Sequence, residues 1–220
     1  MAFTGYDPSA VRTAITNIEN SYDTLIDALI SKNQTDFVQA MGSYWACEQA
    51  KQFFTAYQKA IDALALDVKN VYTSIVNSMN DAANALALTS GESWAESTES
   101  TGSTITVTPS IDISSIKEDI NGVKGIDLEQ ASKLLAVLDT ILSNVNGALE
   151  DTLNAARASG FEGDEIENNL YGAINKIKTN IETAFSQIKT DVNREITDTI
   201  NKYSTDASNI STAFSGGQSA

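Results

Sequence analysis

Four stretches of this chain carry apolar residues at alternating spacings of four and three, and this pattern limits the fold more tightly than any other feature. Val11, Ile15, Ile18, Tyr22, Leu25 and Leu29 form the first seam; Ala50, Phe54, Tyr57, Ile61, Leu64, Val68, Val71 and Ile75 form the second. Ala131, Leu135, Leu138, Leu142, Val145, Leu149, Leu153 and Ala156 make a third. The fourth runs through Ile166, Leu170, Ile174, Ile177, Ile181, Phe185, Ile188, Val192, Ile196 and Ile200. Such spacing lays an apolar stripe along one face of an α-helix, which must be covered by other helices. One two-helix hairpin leaves its seam half exposed, whereas two hairpins bury each other's seams. The expected fold is all-α: two tandem helix-turn-helix hairpins forming an antiparallel four-helix bundle.

The breaks between seams set the boundaries. Asp7 fits a helix N-cap and Pro8 the first helical position. The polar run Lys32-Asn33-Gln34-Thr35-Asp36 predicts either a kinked continuation or a short second helix before Gly42. Ser43-Tyr44-Trp45-Ala46-Cys47-Glu48 is a short bend with an exposed tryptophan, and residues 1–88 make the first hairpin. Residues 89–125 are rich in Ser, Thr, Gly and Glu and read as a flexible linker, with a short helix over 111–120 and Trp94 as its odd member. Residues 126–204 form the second hairpin, bent at Phe161-Glu162-Gly163, and 205–220 form a frayed tail. Asp7 and Trp45 lie 38 positions apart and Asp127 and Phe161 34, so the two halves read as an internal repeat. The linker's first part, residues 89–110, is roughly 20 residues long and reaches about 70 Å, enough to return the chain along a rod of about 60 Å. Identical seams serve pairing within one chain or between two, so a monomeric pseudo-dimer and a homodimer both remain open.

Composition removes most chemistry. The net charge of −15 opposes nucleic acid and anionic lipid as partners. No histidine is present, which removes the commonest general base, metal ligand and triad member. Cys47 is the single cysteine, so neither an internal disulfide nor a multi-cysteine zinc site is available. No acidic stretch has the calcium-loop pattern, and a carboxylate-bridged dimetal site lacks its histidines. The expectation is a non-enzymatic protein with no cofactor and no metal. No apolar run approaches the roughly 20 residues of a membrane span, and the N-terminus lacks a basic-then-apolar leader.

Trp45-Ala46-Cys47, at the bend between two long amphipathic helices, resembles the Trp-x-Gly signature of the WXG proteins, the small early-secreted-antigen-like substrates of type VII secretion. Cysteine stands in the glycine place, and Ala50 and Phe53 follow where that family carries a small residue and an aromatic. Phe161-Glu162-Gly163 is similar to the same motif with Phe for Trp. The resemblance implies a pair of hairpins fused into one chain and exported without a cleavable signal to the medium or cell surface. A secretion ATPase or a co-secreted protein would be its partner. The family's export signal pairs the bend with Tyr-x-x-x-Asp/Glu after a second helix. Here Tyr203 has Asp206 three positions on and Ala207 at four, which points to a partner carrying that signal.

Each residue also has a plainer role. Trp45 serves equally as a recognition knob or as an apolar cap on the bundle end. Cys47 at a helix start is a candidate reactive thiol or a small packing residue. Gly163 supplies backbone freedom, and Asp164-Glu165 suit a helix N-terminus. Two other functions compete: an α-helical pore-forming toxin component and an intracellular helical scaffold.

Overall fold

The computed structural model describes residues 5–94, 105, 110–162 and 164–216. Asp7 starts the first helix, α1 (Pro8–Ile26): its carboxylate accepts the backbone N–H groups of Ser9 at 2.8 Å and Ala10 at 3.1 Å. Asp127 does the same for α3 (Leu128–Arg157), accepting from the Gln130 N–H at 3.1 Å. Between them run α2 (Glu48–Thr89) and, after the second bend, α4 (Asp164–Gly216). The protein is an all-α antiparallel four-helix bundle, in which α1 packs on α2 and α3, and α4 packs on α3 and α2. The seams form the core. Tyr72 of α2 and Thr152 of α3 share a buried hydrogen bond of 2.6 Å across it, and the Tyr22 ring lies 5.5 Å from that of Tyr72.

Among the described residues, four two-residue strands tie the hairpins together. β1 (Gly5–Tyr6) precedes α1 and pairs antiparallel with β4 (Phe161–Glu162) at the second bend. β2 (Trp45–Ala46) lies in the first bend and pairs antiparallel with β3 (Gly125–Ile126), which precedes α3. The exchange is reciprocal: each hairpin's leading strand joins the other's bend. One further bond extends each ladder, Asp7 N–H to Gly160 O at 2.8 Å and Asp127 N–H to Tyr44 O at 2.7 Å. Gly5-Tyr6-Asp7 and Gly125-Ile126-Asp127 are therefore equivalent, related by a pseudo-twofold axis like that of an isologous dimer. Ladders this short are marginal alone, so the bundle holds them and they fix its register.

No second helix begins after Ile26. The helix continues through a π-helical segment, Asp27–Gln39, that buries Ala28, Leu29, Ile30, Asn33, Phe37 and Val38. Its i→i+5 turns each take up nearly one residue more than an α-turn. With both ends of the arm held by the strand ladders, this widening absorbs most of the four-residue surplus of the first hairpin's leading arm over the second's.

The segment read as linker is packed along its second half. Residues 110–118 form an extended strap with no helix over 111–120, and Ile111 and Ile116 are buried. With no helix to satisfy its backbone, the strap bonds to side chains of the first hairpin. The Gln34 amide accepts from Asp112 N–H and donates to Asp112 O, both at 2.6 Å. Asp62 accepts from Ile111 N–H at 3.0 Å and Ser110 Oγ at 2.6 Å, and Gln58 donates to Ile111 O. Gly42 is required beneath it: a Cβ there would lie 2.6 Å from the Ser115 carbonyl oxygen. Residues 95–104 and 106–109 of the predicted linker lie outside the described residues.

Trp94 docks on the bundle. Its ring centroid is 5.8 Å from that of Tyr6, the Arg12 guanidinium stacks 4.3 Å above it, and its N–H donates to Asn80 Oδ1 at 3.3 Å. The predicted tail is helical: α4 runs on to Gly216 past the expected end near Tyr203, and residues 217–220 lie outside the described residues.

Candidate recognition site at the bundle end

Trp45 is not exposed. It is 0% accessible, because the strand it occupies is covered by β3 and its ring is clasped by Phe53 at 5.6 Å and Phe54 at 6.0 Å. Phe37 and Tyr57 complete this aromatic plug. A planar side chain of this size closes the end of the seam against water, and the exposed-knob expectation fails because the chain returns over the bend. Ala46 is buried opposite Gly125. Cys47 is buried too and caps α2, its Sγ accepting the Ala50 N–H at 3.4 Å. Its φ of −173° is extended backbone, so this position does not need glycine.

The second motif lies at the opposite end of the bundle. Phe161 is buried opposite Tyr6, and Glu162 pairs with Gly5. Gly163 lies outside the described residues. The turn before it uses Gly160, whose φ is +73° and whose added Cβ would meet the Ala10 Cβ at 2.4 Å. Antiparallel packing thus separates the two motifs rather than joining them.

What the first bend does meet is α4. Tyr203 lies near Cys47; partial burial first, and then Cys47 and Asp206, push the Tyr203 phenol up, so it stays protonated at neutral pH. Asp206, three residues on, shares its helix face. Together with Gln49, Thr199 and Lys202 the two line a cavity of about 200 Å³. Beside it a wider groove of about 940 Å³ runs between residues 120–128 and α4, walled by Tyr44, Val123, Lys124, Leu128, Tyr203 and Ala207, among others.

Tyr203 and Asp206 stand three positions apart rather than four, yet share one helix face, since i,i+3 and i,i+4 both fall on it. Among the described residues no group of three or more Cys, Asp or Glu side chains is placed to hold a metal, and no helix is long and apolar enough to cross a membrane. No family model matches the chain, and no similar curated protein or solved structure was found.

Proposed function

We propose that this chain is a non-enzymatic substrate or adaptor of a type VII secretion system, recognised as a preassembled pair of hairpins at the end where the first bend meets α4. One observation carries this: Tyr203 and Asp206, from the last part of the second hairpin, lie beside Cys47 and Gln49 of the first. The WXG resemblance calls for a bend together with a nearby tyrosine and carboxylate, and here both hairpins contribute to one such surface. Trp45 then acts from beneath, holding the bend in shape, while Tyr44, Gln49, Lys202, Tyr203 and Asp206 are the groups a partner touches.

The test is direct binding, by isothermal titration calorimetry, of the purified chain to the cytosolic part of the type VII ATPase from the same cell. The expected result is saturable binding that Tyr203→Ala weakens at least tenfold with unchanged helicity. Absence of binding at 100-fold excess, or equal binding by the variant, overturns the proposal.

A further inference from the structure

At the end of the bundle formed by the first bend, α4 outruns its neighbours. Residues 204–211 are all exposed, and the helix continues to Gly216. From residue 208 to its end the helix runs on for about 14 Å. This overhang keeps the seam: Tyr203, Ala207 and Ile210 follow at spacings of four and three, and Ile210 is 57% accessible. Ala207 also walls the 940 Å³ groove at the overhang's base, so Ile210 continues the same face outward. Across the groove stand Val123, 69% accessible, and Leu128, also exposed. Exposed apolar groups on both sides of an open groove mark a docking surface.

We infer that this surface is occupied by a second copy of the chain, the overhang of each copy lying antiparallel to the other with its tip in the other's groove. Two features select a second copy. The overhang springs from the groove's own edge, so two overhangs side by side put each tip at the other's base, closing a twofold, isologous contact. Two bodies of charge −15 repel over most of their surface, yet residues 207–216 contain no charged side chain. A contact this small lies below the roughly 1,200 Å² of standard interfaces, so the dimer is weak, with a dissociation constant of about 10–100 μM.

Sedimentation equilibrium between 5 and 500 μM chain, at 50 and 500 mM NaCl, tests it. The expected mass rises from 23.5 kDa toward twice that value. Added salt tightens the dimer by screening the net repulsion. Ile210→Asp on the overhang and Val123→Asp in the groove each weaken it more than tenfold, while Leu66→Asp, at an exposed apolar position on α2, leaves it unchanged. Circular dichroism checks that all three variants stay folded. A monomer at 500 μM in both salts, which would leave the seam to some other chain, overturns the inference. So does a dimer indifferent to Ile210→Asp and Val123→Asp, or one that salt dissolves.

Discussion

Asn33 offers the sharpest test of how the π-helical segment is held. It is fully buried; its Oδ1 accepts from the Tyr57 hydroxyl at 2.9 Å, and its Nδ2 has no hydrogen-bond partner. Tyr57→Phe removes the one bond and leaves both ends of the amide bare, a loss of about 1–3 kcal/mol for a buried unsatisfied group. Asn33→Leu removes an amide that is already half unsatisfied but orphans the Tyr57 hydroxyl, two terms of similar size and opposite sign, so the net change is about zero. The double variant has neither problem and is expected to equal or exceed wild type. The coupling energy is therefore about −1 to −3 kcal/mol, well outside the roughly 0.5 kcal/mol expected of independent sites. For a chain of this length about 2–4 °C of melting temperature accompanies each kcal/mol. Tyr57→Phe should then melt about 2–12 °C lower and the double variant no lower than wild type, read by circular dichroism and cross-checked by urea unfolding. A double variant that loses the sum of the single losses would refute the pairing.

Three further outcomes follow from the same packing. Gly160→Ala should destabilise by more than about 2 kcal/mol, since a left-handed φ and a clash with Ala10 act together, whereas Gly91→Ala, with nothing within 4 Å, should lose only about 1 kcal/mol; urea midpoints separate them. Burial raises the phenols of Tyr57 and Tyr72, the latter to about 12, so both stay protonated when exposed tyrosines ionise near 10. The stability this contributes is complete below pH 10 and is lost as pH rises through the folded-state values, so tyrosine absorbance near 295 nm should show a late step coincident with alkaline unfolding, smaller in Tyr72→Phe. Gln34→Ala combined with Asp62→Ala removes four bonds to the strap, and limited proteolysis should then cut within residues 110–118 while the helices remain intact.

The bundle was legible because the seams are local and periodic: Val11 to Leu29 and Ala50 to Ile75 name their own buried faces. The π-helical segment was hidden by Asn33. Leu29, Asn33 and Val38 are buried at spacings of four and five, the rhythm of i→i+5 turns, but a polar residue in the middle reads as a break. The strap was illegible because its partners Gln34, Gln58 and Asp62 are 48 to 78 positions away, beyond any local pattern. Composition misled over the tail, where Ser and Thr suggest fraying; in α4 such hydroxyls bond back to their own helix, as Thr205 does to the Asn201 carbonyl at 2.9 Å. At the candidate site the bend was visible and the burial of Trp45 was not, since its cover comes from β3, some 80 residues downstream. The repeated Gly-x-Asp at 5–7 and 125–127 was the unused signal: it marks both leading strands and hence the reciprocal exchange.

The central functional claim is export, and the most direct measurement is where the protein goes in its own cell, comparing culture medium with lysate in strains with and without the type VII ATPase. The account predicts protein in the medium of the parent strain and its loss, with accumulation in the lysate, when the ATPase is absent. Equal amounts in the medium of both strains, or retention in the lysate of both, would contradict it and leave a tandem-hairpin bundle with a different task.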